Sequence, residues 1–235
     1  MQIQGFRKFF HSTYALLLTG LCSLTQAQQA GLLYDPEPPL DSAYVRIIVA
    51  SREGPVDVVV DGRPRIQKLA SAEASEFMVL SAGPHTIALH PAGKPSAHLS
   101  AKLDVTKGRA LTVAFTSLKA NTAPIVIEDK TNSNKLKALL AVYHLDTKIG
   151  PVDILTSDGN TKVLAGITHG TSASIQVNPI DVELMAAKTG EKSPLVKSSL
   201  KMTQGGTYSV FLMSGENGKM TAKVGLNKIE RYTGK

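Results

Sequence analysis

Histidine, serine and lysine are the residues of this chain whose types and spacing invite a chemical reading. A serine nucleophile needs a histidine base, and the base needs an orienting carboxylate. Five of the six histidines lie in the body of the chain: His85, His90, His98, His144 and His169. His144 stands two residues before Asp146, an ordinary arrangement at the end of a strand. His85 and His90 are five apart, so on one strand they point to opposite faces. His90 and His98 flank a predicted loop, and two imidazoles without a third ligand make a poor metal site. The chain has no Gly-x-Ser-x-Gly elbow, no Gly-Asp-Ser block, no Walker loop and no dinucleotide fingerprint. The expectation is a protein with no catalytic, metal-binding or cofactor-binding residue, hence not an enzyme. Lys188, Lys192, Lys197 and Lys201 fall in one predicted hairpin with only Glu191 beside them. Such a cluster is a candidate surface for a polyanion or an acidic partner, although lysine is also the usual solvated residue of exposed strand edges.

The elements that carry these residues read as strands. Leu99, Ala101, Leu103 and Val105 alternate, as do Leu111, Val113 and Phe115. Tyr208, Val210 and Leu212 do the same further on, followed by Met220, Ala222, Val224 and Leu226. Val45, Ile47 and Val49 share one face of another strand, and Tyr44, Arg46 and Ile48 share the opposite face. Asp61-Gly62, Gly83-Pro84, Asp158-Gly159, Asn178-Pro179 and Gly205-Gly206 mark turns between them.

The pattern occurs twice. Gly54-Pro55-Val56-Asp57 returns as Gly150-Pro151-Val152-Asp153, and Asp61-Gly62 as Asp158-Gly159. The stretch Leu103 to Gly108 aligns with Leu200 to Gly205. An ordered run of matches at nearly constant offset indicates a duplication. The fold class expected is all-β, with two tandem immunoglobulin-like β-sandwiches over residues 43–130 and 131–235. The polar, turn-rich stretch from Lys119 to Asn134 reads as a linker between separately folding units.

Ahead of the first unit, Arg7 and Lys8 precede an apolar run from Tyr14 to Leu24 and the small-residue exit Thr25-Gln26-Ala27. That run is too short for a bilayer span of about 20 residues. It has the form of a secretory signal peptide over residues 1–27, cleaved after Ala27, with the protein exported to the periplasm. Cleavage removes the single cysteine, Cys22, and lowers the net charge from +7 to +5. All of that excess lies beyond residue 130. Residues 28–42 then form an extended, proline-rich arm, because proline removes backbone donors and biases its predecessor towards extended geometry. Tyr34, Pro36, Pro38 and Pro39 are its candidate partner-binding residues. An exported chain without tryptophan, in which 5% of residues are aromatic, is a poor candidate for nucleic acid.

Three stretches carry a family resemblance: Gly31-Leu-Leu-Tyr34 through Tyr44-Val45-Arg46, Asn134-Lys135-Leu136-Lys137-Ala138-Leu139, and Val177-Asn178-Pro179-Ile180 with Thr203-Gln-Gly205-Gly-Thr-Tyr208. In their order and spacing the chain resembles the alginate biosynthesis AlgF family. The resemblance implies a periplasmic accessory protein, required for O-acetylation of a secreted exopolysaccharide. Alginate is the first polymer it implies and acetylated cellulose the second. The chemistry would belong to partners, namely periplasmic acetyltransferases and a membrane-bound O-acyltransferase. The other reading is a carbohydrate-binding module that holds the polymer. Polymer-binding sandwiches usually present planar aromatic rings, which this composition lacks, though lysines can hold a polyanion.

Overall fold

A chain whose apolar residues alternate along most of its length buries them by stacking paired strands face to face. The computed structural model describes residues 38–95 and 99–233. The leader, Tyr34, Pro36 and His98 lie outside the described residues.

The first sandwich contains β1 (Ser42–Val49), β2 (Val56–Val60), β3 (Arg63–Leu69), β4 (Met78–Ser81), β5 (Gly83–Pro91), β6 (Leu99–Val105), β7 (Ala110–Phe115) and β8 (Ile125–Glu128). The second contains β9 (Ala138–His144), β10 (Val152–Thr156), β11 (Lys162–Ile167), β12 (Thr171–Val177), β13 (Ile180–Lys188), β14 (Pro194–Met202), β15 (Thr207–Ser214) and β16 (Met220–Leu226). Two four-stranded sheets form each sandwich. Their orders are β4-β1-β7-β8 and β3-β2-β5-β6, then β12-β9-β15-β16 and β11-β10-β13-β14. Every strand of the first unit thus has its counterpart eight places on. The parallel pairing of β1 with β7 recurs as that of β9 with β15. The fold is two tandem β-sandwiches, as the repeat requires.

The duplicated Gly-Pro-Val-Asp motif has a structural cause. Asp57 lies opposite a bulge in β3 and accepts the backbone N–H of Lys68 at 2.7 Å. Its other oxygen accepts from Gly93 N at 2.8 Å, beyond the end of β5. Asp153 repeats this, taking Gly166 N of the β11 bulge at 2.8 Å and Gly190 N at 3.3 Å. Lys68 and Gly166 both have positive φ, a strained conformation for the lysine and an easy one for the glycine, and each carboxylate pins its bulge.

Each sandwich has its own apolar filling. Val45, Ile47, Val58, Leu89 and Phe115 belong to the first, and Leu140, Val142, Ile154, Leu184 and Leu212 to the second. A third buried cluster joins the two units: Ile48, Ala114 and Ile127 pack with Ala141, Tyr143, Phe211 and Met213. The outer faces of β1, β7, β9 and β15 are therefore also interior. The two sandwiches thus share a buried seam. The stretch after β8 is not a loose tether, because Asp129 and Asn132 within it are buried. Asn132 donates from its side-chain amide to the carbonyl of Lys137 at 2.9 Å. Past β16 the chain returns to the first sandwich, where Phe77 N donates to Lys228 O at 2.8 Å and Glu230 N to Phe77 O at 2.9 Å. The Glu230 carboxylate also receives Val79 N at 2.9 Å and pairs with Arg65.

Candidate functional site

Arginine is almost never fully buried unless it is paired, yet Arg46 sits at the junction with 2% exposure. The parity of β1 sends its side chain away from the first core and towards the second sandwich. Its Nε donates to Thr112 Oγ1 at 2.8 Å, Nη1 to Asn227 Oδ1 at 2.8 Å and Nη2 to Tyr143 OH at 2.9 Å. The guanidinium carbon lies 4.5 Å from the Phe77 ring centre and 4.9 Å from that of Phe211. Asp129 is its counter-ion at 3.5 Å. That carboxylate also accepts from Thr112 Oγ1 at 2.8 Å and from Tyr143 OH at 2.5 Å. Burial pushes the Asp129 carboxyl above its ordinary range, against Arg46, Tyr143 and Thr112, which favour the ionised form. Burial likewise drives the Tyr143 phenol upward, helped by the charge on Asp129, so it stays protonated and donates.

Over this junction opens a cleft of about 400 Å³. Tyr44 and Phe77 line it from the first sandwich, and Leu226 and Ile229 from the end of the second. Lys130 and Lys135 stand at its rim. Residues from all three stretches that carry the family resemblance meet here: Tyr44, Lys135 and the turn from Gly205 to Thr207.

The histidines take positions that sequence spacing does not give. His85 Nδ1 lies 2.6 Å from Asp61 Oδ2, and its Nε2 lies 2.8 Å from the carbonyl oxygen of Ser81. Burial opposes a charged ring, but the Asp61 carboxylate and the Ser81 carbonyl outweigh it and hold His85 above its usual range. Asp61 is held low by the backbone N–H of Thr86 and by His85. The Ser81 carbonyl can only accept, so Nε2 donates to it and is not left to take a proton from a nucleophile. His144 is wholly buried, and its Nε2 donates to Gly150 O at 2.9 Å. His169 is exposed, with its ring edge-on to that of His144. Among the described residues, no three His, Cys, Asp or Glu side chains form a group that would hold a metal ion.

The four lysines do lie on the β13–β14 hairpin and its turn, and all are exposed. They do not form one bare basic patch. Lys197 and Lys201 share the outer face of β14, where Lys201 lies opposite Asp181 and Lys197 approaches Glu183 at 3.8 Å. Lys188 has the opposite parity, at the end of β13, and Lys192 is in the turn. Acids one strand away, invisible in linear spacing, thus interleave with these lysines. Of the arm, Pro38 is half-buried and Pro39 is exposed, lining a second cleft of about 500 Å³ with Arg63, Arg65 and His85. Sequence reasoning missed Arg46, Asp129 and Tyr143. The signal available was a lone arginine in the apolar run Val45 to Val49.

Comparison with known proteins follows the same lines. A family model described as "Alginate O-acetyl transferase AlgF" matches residues 15–207. An alginate biosynthesis protein AlgF of Azotobacter vinelandii is 26% identical over 202 residues, covering 86% of each chain. One from Pseudomonas aeruginosa is 26% identical over 204 residues, covering 87% of each. The solved C-terminal domain of AlgF from P. aeruginosa covers 40% of this chain and 100% of its own length, with 24% identity and a TM-score of 0.33.

Proposed function

Since the chain belongs to the AlgF family, we propose that it serves alginate biosynthesis as a non-catalytic accessory of O-acetylation. It would hold the acetyltransferase machinery together in the periplasm after loss of residues 1–27. The partners on this reading are periplasmic acetyltransferases and a membrane-bound O-acyltransferase. The family's description names the transferase reaction, and this reading places the chain beside the catalysts. The observation that carries it is the state of His85. It has the carboxylate partner that a catalytic base needs, but its second nitrogen faces a carbonyl, whereas a base must accept a proton there. The junction built on Arg46 also supports the reading, since two sandwiches fixed as one body make a scaffold with a defined spacing between docking surfaces. The arm at Pro38 and Pro39 and the lysines of β13–β14 are further proposed contact surfaces.

Two measurements test it. The purified protein should not turn over an acetyl ester, and a strain lacking the gene should export polymer without acetyl groups. Turnover abolished by a single Ser→Ala change would refute the accessory reading. Full acetylation in the deletion strain would refute the pathway.

A further inference from the structure

We propose that the cleft over the junction is a docking groove for an extended acidic segment of a partner protein. The apolar side chains of that segment would lie against Leu226 and Ile229, and its carboxylates over Lys130 and Lys135. The inference deepens the accessory reading and rests on it.

Three observations converge. First, the cleft is apolar where it is open. Leu226 and Ile229 keep 51% and 56% of their surface exposed. Exposed aliphatic side chains gathered at one concave place mark an interaction site. Second, its rim is positive and unbalanced. Lys130 and Lys135 make no ion pair among the described residues, while Lys162, Lys197 and Lys223 each do. The carboxylate beside Lys130 in sequence, Asp129, is buried and committed to Arg46. Glu230 is held by Arg65 and Val79 N. Charge complementarity therefore calls for carboxylates supplied from outside. Third, the walls come from both sandwiches, and the hydrogen bonds of Phe77 with Lys228 and Glu230 fix their spacing. A groove set in advance binds with less ordering cost than one that must assemble.

The aliphatic floor favours a peptide over the polymer. A uronate chain carries carboxylates too, but its hydroxyl-rich rings seek hydrogen-bonding groups and flat aromatic faces. Half-exposed Leu226 and Ile229 offer it neither, the Phe77 ring is buried against the Arg46 guanidinium, and Asn227 Oδ1 is already taken by Arg46 and Ser209, which leaves half-buried Tyr44 as the accessible ring of the lining. A peptide alternating acidic and aliphatic residues matches both parts of the cleft, because alternate side chains of an extended segment point to opposite sides.

The test uses the purified protein and three probes: an eight-residue Glu-Leu repeat peptide, the matching Gln-Leu peptide and an oligouronate. The Glu-Leu peptide should bind and shift the amide resonances of Thr207, Asn227 and Ile229. The Lys130→Glu/Lys135→Glu variant should bind it about tenfold more weakly, and more weakly still at low salt. Both substitutions are on exposed side chains, and an unchanged melting temperature certifies the fold. Equal binding of the Glu-Leu and Gln-Leu peptides, resonance shifts elsewhere, or tighter binding of the oligouronate in the cleft would each overturn the proposal. Capture of the acetylation enzymes in cells separates the two readings. If the double variant captures them as well as the wild type does, the groove is wrong and the accessory role stands. If the wild type binds the Glu-Leu peptide in the cleft but captures no enzyme, the groove stands and the accessory role fails.

Discussion

Replacing Arg46 by Met keeps an unbranched chain of similar reach and removes only the guanidinium. The structure states what is then lost: three hydrogen bonds, to Thr112, Asn227 and Tyr143, and the counter-ion of Asp129. Asp129 cannot turn to water, since its side chain is 4% exposed. Removing one partner of such a buried pair costs about 3–5 kcal/mol, chiefly because the remaining charge is uncompensated. Asp129→Asn should cost a comparable amount, since it leaves an oxygen for Tyr143 but strands the buried guanidinium of Arg46 without its counter-ion. The two substitutions together should cost less than their sum by about 1–3 kcal/mol, as expected for side chains in one network. The pH dependence of the single variant has a defined sign. Without Arg46 the native carboxyl of Asp129 rises further above its unfolded value, so the native state binds more protons than the unfolded state. Stability of Arg46→Met relative to wild type then falls as pH rises through the raised wild-type folded value of Asp129 towards the higher value of the variant. Urea denaturation of the purified protein at pH 4.5 and pH 7.5 measures all of this. A loss below about 1 kcal/mol, or a strictly additive pair, would show that the guanidinium does not hold the junction.

Asp153→Ala should destabilise the second sandwich by about 1–3 kcal/mol, because the N–H groups of Gly166 and Gly190 lose their acceptor. Burial opposes its charge, yet Lys162 and these two N–H groups lower the Asp153 carboxyl from 3.8 to about 2. The stability it provides is thus complete above pH 3.8 and lost as pH falls towards 2, and acid titration of the variant should lack that component. His85 gives the opposite sign: its folded pKa is raised above 6.5, so its contribution is present below that pH and disappears as pH rises through the folded value. Melting temperatures taken from pH 5.5 to 9 should show this decline, and Asp61→Asn should flatten it. Gly206→Ala should cost about 1–3 kcal/mol by overpacking, because a Cβ there would stand 2.6 Å from the Tyr208 ring. Chemical denaturation would read that loss, and a neutral result would show that the ring swings aside freely.

Much of the fold is legible in the sequence because its information is local or periodic. The alternation in Leu99–Val105 and Leu111–Phe115 gives β6 and β7 directly, and the recurrence of Gly-Pro-Val-Asp at an offset of 96 gives the duplication. The junction is legible only in part, for a physical reason. The partners of Arg46 lie 66, 97 and 181 residues away, on β7, β9 and the chain beyond β16. No local spacing encodes such a meeting. Comparison of the repeats does hold one hint, since strand register equates Arg46 with Ala141, which lies on the junction face of the second sandwich. A charged residue in one copy where the other is apolar marks a place where the copies have different surroundings. The lysines of β13–β14 show the converse limit: their clustering is real along the chain, but strand pairing brings Asp181 and Glu183 alongside.

The return of the chain from β16 to Phe77 governs the order in which the molecule is assembled. In each sandwich the first strand pairs with the seventh, so neither sheet closes until most of its unit is available, and such long-range pairing folds slowly. The residues from Lys228 to Glu230, which clip onto Phe77 and Val79, follow both sandwiches along the chain. A growing chain therefore holds its first sandwich with one edge of β4 uncovered until the stretch past β16 has been made. Truncation before Lys228 would leave that edge open to foreign strands, far in sequence from the site of the change.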